Sequence, residues 1–232
     1  MVYLETKAVI FDLDGVLVNS EPLYGIALNK VVEQEGVEPL TEVEARSLIG
    51  TTVKHTWDSI KEMRSLTKPF DYYLAIYGQI LMHVFKSGLE LQSGAMELVQ
   101  SVKKNGIPLG LATSSYRDWV NVQLDAVGMS GIFDAIVTGD EVQNGKPSPE
   151  IYLTVAQLLN INPTDCLAIE DSPSGIDAAV SSGIYTVAIK TDETAGLNIS
   201  KANQIVNSLA ELNIGHLDVK NLSKNPRSVE VR

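Results

Sequence analysis

The chain lacks several features that mark secreted and membrane proteins. Its 232 residues include a single cysteine, Cys166, which excludes an internal disulfide and fits a reducing compartment. Cys166 stands in an apolar run, so we expect it to be buried rather than reactive. No apolar run approaches the roughly 20 residues that a membrane-spanning helix needs. Residues 1–7 contain no basic stretch leading into an apolar core, so we expect no secretory signal there and a cytoplasmic location.

Basic residues are also scarce. The chain has 18 Lys and Arg against 29 Asp and Glu, which gives a formal net charge of −11. Nucleic-acid binding needs Lys and Arg gathered on one face, so this balance argues against such a partner. We expect a small-molecule partner instead, no membrane association and a monomeric chain. An anionic substrate would need a locally positive site on this negative protein, which draws attention to individual lysines.

What is present is organised around residues 8–15. Four apolar residues, Ala8-Val9-Ile10-Phe11, are typical of a strand buried on both faces. Asp12 and Asp14 follow, and their i, i+2 spacing directs both carboxylates to the space beyond the carboxyl end of the strand. Ligands bind in that crevice in open parallel sheets. Two anions held close need a cation or a proton between them, although a plain Asp-Gly turn after a strand remains open here.

The rest of the chain predicts an α/β fold with a Rossmann-like parallel sheet. Apolar strand patterns alternate with helical ones after residue 91, as in right-handed βαβ units. The predicted strands after the first lie at 107–113, 135–138, 166–169 and 185–189, with a short apolar pair at 205–206 and a helical stretch at 208–213. Helical patterns alone cover 22–35, 41–48, 53–65 and 70–86, and Ser20 is expected to cap the first of these helices.

This pattern predicts two domains and a tail. Residues 1–18 and 91–222 form the α/β core, and 19–90 form an α-helical cap inserted after the first strand. Residues 223–232 are a polar C-terminal tail.

The ends of the other predicted strands also carry reactive groups. Thr113-Ser114-Ser115 follows the second strand, Lys146 lies in a Pro- and Gly-rich turn after the third, and Glu170-Asp171 follows the fourth. Singly, these could be a helix cap, a solvated lysine and a turn. Together with Asp12 and Asp14 they supply oxygen ligands for a hard cation and donors for a phosphate. This combination predicts a Mg²⁺-assisted phosphoryl-transfer site.

At this point the sequence resembles a known family. The residues that carry the resemblance are Phe11-Asp12-Leu13-Asp14-Gly15-Val16-Leu17, Leu111-Ala112-Thr113-Ser114-Ser115, Gly145-Lys146-Pro147-Ser148-Pro149-Glu150-Ile151-Tyr152 and Glu170-Asp171-Ser172-Pro173-Ser174-Gly175. In order and spacing they resemble the four motifs of the haloacid dehalogenase superfamily, over about residues 7–190. Within the superfamily the chain is most similar to the β-phosphoglucomutase-like group of small-molecule phosphatases.

The resemblance implies a role for each motif residue. Asp12 would be the nucleophile that forms an aspartyl-phosphate, and Asp14 the general acid and base. Thr113, the amide of Ser114 and Lys146 would bind the phosphoryl oxygens. Mg²⁺ would be held by Asp12, the main-chain carbonyl of Asp14, Glu170 and Asp171, with Glu170 direct or through water. True dehalogenases need neither Asp14 nor the metal, so this set favours phosphate chemistry.

The predicted cap departs from the mutases of that group. They carry a histidine ten residues beyond the second aspartate and an arginine three beyond the cap glycine, where this chain has Tyr24 and Val53. Lys54 could replace the arginine as a point charge. Within the cap, the predicted substrate-binding residues are Glu21, Gly50 and Lys54. Glu21 could equally serve only to favour a helix N-terminus.

We therefore predict a Mg²⁺-dependent phosphatase of a small phosphorylated carbohydrate, acting through an aspartyl-phosphate. Three alternatives stay open: a β-phosphoglucomutase-type phosphosugar mutase, a non-catalytic phosphate-ligand sensor on the same fold, and a receiver-type signalling domain. The intact motifs disfavour a sensor, and the cap with Asp14 disfavours a receiver.

Overall fold

A computed structural model describes residues 2–48, 51–192 and 194–216. The strands in this part of the chain are β1 (Val2–Thr6), β2 (Ala8–Phe11), β3 (Leu109–Ala112), β4 (Ala135–Val137), β5 (Cys166–Glu170), β6 (Tyr185–Ile189), β7 (Gln204–Val206) and β8 (Leu212–His216). Six of them form one parallel sheet in the order β4-β3-β2-β5-β6-β7, with β2 between β3 and β5. The predicted α/β class and parallel sheet are confirmed.

The helices are α1 (Glu21–Gln34), α2 (Glu42–Ser47), α3 (Val53–Arg64), α4 (Phe70–Gly88), α5 (Ala95–Lys104), α6 (Arg117–Ala126), α7 (Glu150–Leu158) and α8 (Pro173–Ser181). The central strand β2 shows why the sheet is covered on both sides. Val9 and Phe11 pack into a core shared with α5 and α6, whereas Ala8 and Ile10 pack into a core shared with α7 and α8. Successive strand residues point to opposite faces, so the apolar run in β2 needs a helical layer on each.

Helices α1–α4 form what we call the helical insertion, which has a core of its own. Trp57 lies in that core without exposure and stacks on Tyr73, with ring centroids 5.2 Å apart. Trp119 of α6 completes the same cluster, so the insertion rests on the α/β part through α6. Two chain segments connect the parts, and they pair through an antiparallel bridge between Val18 and Leu91. The exact domain boundaries remain a prediction.

Three local predictions were wrong. β1 was not expected, and residues 208–213, expected to be helical, instead form a 3₁₀ turn at Leu209–Glu211 that leads into β8. β1 and β8 pair with each other in parallel as a second, two-stranded sheet. Ser20 does not cap α1, because its backbone is already helical (φ −94°, ψ −21°) and its side chain turns toward Asp14.

The remaining sequence predictions concern one residue of the cap, the C-terminal tail, the single cysteine and membrane-spanning helices. Gly50 and the C-terminal tail lie outside the described residues. Cys166 is buried as expected. Within the described part of the chain, no helix has the length and apolar character needed to cross a membrane.

Candidate active site

The carboxyl ends of β2, β3 and β5 meet at one edge of the sheet because these strands are parallel neighbours. A cavity of about 640 Å³ opens there, between the sheet and the helical insertion. Its wall includes Asp12, Asp14, Ser114, Lys146 and Asp171 from the α/β part. The predicted strand-end residues are therefore brought together in one place.

Lys146 lies at the centre of the buried charges. Its Nζ donates to Asp12 Oδ1 and Glu170 Oε1, both at 2.5 Å, and to the carbonyl oxygen of Ala112 at 3.0 Å. Burial alone would lower the pKa of this ammonium, but the charges of Asp12 and Glu170 outweigh burial and raise it. Lys146 is thus a fixed positive charge rather than a solvated loop lysine.

The nucleophile candidate Asp12 is buried among other anions. Burial raises the pKa of Asp12 well above its usual value, against the lowering effect of Lys146 and with the support of the Glu170 and Asp14 charges. The backbone N–H of Asp12 donates to the carbonyl oxygen of Ile169, which fixes the chain between β2 and β5. This end of the sheet therefore holds more negative charge than one ammonium can balance.

Glu170 and Asp171 complete the acidic group. Glu170 Oε1 accepts from Tyr152 Oη at 2.8 Å, and Oε2 accepts from the backbone N–H of Asp171 at 3.0 Å. Burial, followed by the charges of Glu170 and Asp12, raises the pKa of Asp171. Two glycines leave room for these carboxylates, because a Cβ on Gly175 would collide with Glu170 and one on Gly15 with Asp171.

This acidic group fits a metal ion. Asp12, Glu170 and Asp171 each offer a carboxylate oxygen, and the three oxygens lie within 4.8 Å of one another. Oxygen-only donors suit a hard divalent cation. Three buried carboxylates face a single ammonium, and a cation would relieve this imbalance. We therefore regard the cluster as a candidate metal site.

The second carboxylate, Asp14, has a different environment made of hydroxyl groups. Its Oδ1 accepts from Ser20 Oγ at 2.6 Å and from Tyr24 Oη at 3.0 Å. Its Oδ2 accepts from Ser115 Oγ at 2.7 Å and, more weakly, from Thr113 Oγ1 at 3.3 Å. All four partners are neutral, whereas Asp12 is held by a cation. The two carboxylates are thus suited to different tasks.

The structure does not gather all the predicted substrate-binding residues. Glu21 lines the cavity. Lys54 instead forms an exposed ion pair with Asp58 at 2.7 Å on α3. In the α/β part, Thr113, which was predicted to bind a phosphoryl oxygen, is fully buried and donates to Asp14.

The sequence did not indicate that Ser20, Tyr24 and Tyr152 are parts of the site, or that Ser115 contacts Asp14. Their hydroxyl groups all reach Asp14 or Glu170. The available signals were that Ser115 and Tyr152 lie within the family motifs and that Tyr24 stands where the mutases of the group carry a histidine.

Comparison with known proteins agrees with this geometry. Residues 9–189 match the family model for haloacid dehalogenase-like hydrolases. The chain is 34% identical over 215 residues to a phosphorylated carbohydrates phosphatase of Thermotoga maritima, covering 89% of this chain and 99% of that one. It is 31% identical to the validoxylamine A 7'-phosphate phosphatase of Streptomyces hygroscopicus subsp. limoneus, covering 91% and 98%.

A solved structure extends the comparison to the fold. CbbY from Rhodobacter sphaeroides, in complex with phosphate, matches with a TM-score of 0.81 at 28% identity, covering 89% of this chain and 96% of that one. The motifs, the sheet and the family match agree over most of the chain. The protein belongs to the haloacid dehalogenase-like hydrolases.

Proposed function

We propose that this chain is a Mg²⁺-dependent phosphatase that hydrolyses a small phosphorylated carbohydrate through an aspartyl-phosphate. The single observation that carries the proposal is the buried ammonium of Lys146, which contacts both Asp12 and Glu170 at the wall of a cavity. Such an arrangement holds a nucleophile and a positive charge where an anion can approach. Relatives named as phosphatases of phosphorylated carbohydrates and of validoxylamine A 7'-phosphate support the substrate class.

Asp12 acts as the nucleophile in this proposal. A carboxylate oxygen bonds to phosphorus while the bond from phosphorus to the leaving oxygen breaks. Lys146 balances the charge of Asp12 and of the transferring group. The backbone N–H of Ser114 and the hydroxyl of Thr113 bind phosphoryl oxygens. The bond from Thr113 to Asp14 is the longest of the four hydroxyl contacts, and so the easiest to exchange for a phosphoryl oxygen.

Asp14 exchanges the proton. It gives one to the leaving oxygen in the first step and takes one from the attacking water in the second. Because Asp14 is held by neutral hydroxyls, its charge can change without breaking an ion pair. The helical insertion acts as a cap that excludes bulk water from these steps.

The metal we propose is Mg²⁺, held by Asp12, the carbonyl of Asp14, Glu170 and Asp171. When bound, it would neutralise charge on the phosphoryl group and orient it for in-line displacement. Both oxygens of Glu170 already accept hydrogen bonds within the protein. This favours contact between Glu170 and the metal through water, with Asp12 and Asp171 as direct ligands.

The charges around the cavity favour hydrolysis of a monophosphate over a mutase reaction. Among the described lining residues, Arg46 is the cation besides Lys146, and it is paired with Glu42 at 3.1 Å. Lys54 is paired with Asp58, so it offers no ready second phosphate anchor. A mutase must hold two phosphates during its cycle. The cavity therefore suits a substrate with one phosphate.

A panel assay tests this function. Phosphate release is measured from hexose and pentose monophosphates, sugar bisphosphates and p-nitrophenyl phosphate, with Mg²⁺ and with excess EDTA. We expect release from one or more sugar monophosphates, dependent on Mg²⁺, and less from bisphosphates. Isomerisation without net phosphate release would favour the mutase. No turnover of any phosphate, in a folded protein, would contradict the proposal.

A further inference from the structure

The phenol of Tyr24 stands where three parts of the chain meet. Tyr24 lies in the first turn of α1, and its ring packs edge-on against Phe85 of α4, with centroids 5.5 Å apart. Its hydroxyl lies 2.6 Å from Ser115 Oγ, in the turn after β3, and accepts from Gln123 Nε2 of α6 at 3.3 Å. One hydroxyl group of the helical insertion therefore contacts two residues of the α/β part and also Asp14.

The two oxygens of Asp14 accept hydrogen bonds from different parts of the chain. Ser20 and Tyr24, at the start of the helical insertion, contact Oδ1. Residues of the turn after β3 contact Oδ2. Tyr24 Oη and Ser115 Oγ lie 2.6 Å apart, and either can donate to the other in place of its bond to Asp14, so the two sets of hydroxyls are in contact. As a result, the orientation of the Asp14 carboxylate depends on where the insertion sits relative to the sheet.

Gln123 is a buried polar residue of α6 that contacts the hydroxyl of Tyr24. Its side chain is fully buried, and its Oε1 has no hydrogen-bond partner among the described residues. A buried amide with one group unpaired is costly, and an apolar side chain would avoid that cost. The amide, however, donates from Nε2 to the hydroxyl of Tyr24, which an apolar side chain could not do.

We propose that Tyr24 is a positioning residue that orients Asp14 for proton transfer and makes this orientation depend on the docked helical insertion. The inference rests on the proposed function, because orientation of Asp14 matters only if it protonates the leaving oxygen. In that step Asp12 bonds to phosphorus, the bond to the leaving oxygen breaks, and the proton of Asp14 moves to that oxygen. A carboxyl group turned away from the leaving oxygen cannot deliver the proton.

Single-turnover kinetics of Tyr24→Phe test this inference, because the change removes the hydroxyl and keeps the ring against Phe85. We expect phosphoenzyme formation from the best sugar monophosphate of the panel to slow by at least about tenfold, as expected for a displaced catalytic group. With p-nitrophenyl phosphate, whose leaving group needs no proton, we expect a change of less than about threefold. In steady-state assays of the same variant, KM for both substrates should change little.

Tyr73→Phe is the matched control. It removes another tyrosine hydroxyl of the helical insertion, one that accepts from the backbone N–H of Lys68 at 3.4 Å and is not among the described hydrogen-bond partners of Asp14. It should slow neither substrate selectively. Asp14→Ala serves as the reference for complete loss of the general acid, and it should show the same selectivity for the sugar phosphate, more strongly.

The outcomes separate this inference from the proposed function. If the wild type forms no phosphoenzyme from any phosphate, the proposed function fails and the inference with it. If the wild type is active and Tyr24→Phe slows both substrates equally, or slows neither, only the role of Tyr24 is wrong. If Tyr24→Phe is not recovered folded, Ser115→Ala removes the hydroxyl that contacts both Tyr24 and the other oxygen of Asp14. That variant must then show the same leaving-group selectivity, or the inference is overturned.

Discussion

At the scale of single residues, the site separates two carboxylates that lie two positions apart. Asp12 contacts the ammonium of Lys146, and Asp14 contacts only hydroxyl groups among its described hydrogen-bond partners. The ammonium of Lys146 opposes the burial that raises the pKa of Asp12, whereas the partners of Asp14 are neutral hydroxyl groups that can both donate and accept. This difference suits the proposed roles, with Asp12 as the nucleophile beside a cation and Asp14 as the group that exchanges a proton.

The first prediction concerns Asp12→Asn. This change removes the attacking carboxylate and keeps its shape, so turnover should fall by at least about a thousandfold. Burial and the neighbouring carboxylates raise the pKa of Asp12, which means that its charge is unfavourable in the folded protein. The melting temperature should therefore stay equal or rise. Turnover within about tenfold of wild type would rule out Asp12 as the nucleophile.

A second prediction tests the space around Glu170. In Gly175→Ala the new Cβ would collide with the Glu170 carboxylate and displace it from Lys146. We expect a loss of stability of about 1–3 kcal/mol, typical of overpacking, together with a loss of phosphatase activity. Gly88→Ala, at the end of α4 with ordinary contact distances, is the matched control and should be neutral or slightly stabilising. Chemical denaturation and phosphate release measure both effects.

Much of this site was predictable because its residues follow strands. Asp12, Lys146 and Asp171 come after buried apolar runs, and parallel strands bring such positions together. The hydroxyls around Asp14 were not predictable in the same way. Whether Ser20 caps a helix or contacts Asp14 depends on a backbone angle at the start of α1, and no residue pattern encodes that angle.

At the scale of elements, helix α2 is held by polar contacts rather than by a buried face. None of its residues is buried. Thr41 and Glu44 form a capping box at its start, and Arg64 of α3 donates to both carboxylate oxygens of Glu44, at 2.9 and 2.6 Å. Arg64 also donates to the carbonyls of Glu38 and Pro39, so one guanidinium ties α3 to the loop before α2.

This arrangement predicts a dependence of α2 on pH. The bonds from Arg64, then those from Thr41, lower the pKa of Glu44 from 4.5 to about 2. A lowered pKa contributes stability above the unfolded value, and that stability is lost as pH falls from about 4.5 through about 2. Hydrogen exchange of α2 in wild type and Glu44→Gln should differ near neutral pH and converge at about pH 2. Glu42→Gln, in an exposed ion pair, should differ little from wild type throughout.

The elements that were mispredicted are those fixed by distant partners. β1 and β8 pair only with each other in the described part of the chain, and about two hundred residues separate them along the sequence. Each is a short segment whose own pattern is weak. By contrast, β2 and β5 do not exceed β1 and β8 in length, but they are almost continuous runs of apolar residues. Such runs can be recognised locally, because both faces of the sheet are buried.

At the scale of the whole molecule, the net negative charge of the chain and the acidic cluster of the site both favour the binding of a cation. The chain carries a formal charge of −11, and three carboxylates of the site lie within 4.8 Å of one another. If Mg²⁺ occupies the proposed site, it should stabilise the entire fold, because these carboxylates are gathered only in the folded state.

Mg²⁺ titration of the melting temperature tests this prediction. At a concentration of a hundred times Kd, one site stabilises the fold by about 2.7 kcal/mol. Asp171→Asn should reduce this shift and raise the Mg²⁺ concentration required for activity. Asp177→Asn, which removes an exposed ion pair with Lys201 at 2.8 Å, should leave the shift unchanged. EDTA should abolish activity reversibly. Full activity in excess chelator would contradict a metal-dependent reaction.

The way in which the helical insertion joins the sheet has a consequence for how such proteins diversify. The backbone N–H of Asn19 donates to the carbonyl of Glu90, and that of Gln92 donates to the carbonyl of Leu17, so the entry and exit segments run side by side. The helices between them can be exchanged for a segment of different length or composition without moving either end, provided that the hydroxyls of Ser20 and Tyr24 that contact Asp14 are kept. Evolution, or a protein engineer, can thus replace most of the helical insertion while keeping the α/β part that carries the strand-end residues. A chimaera that carries the corresponding segment of a relative should inherit the preference of that relative among phosphorylated compounds.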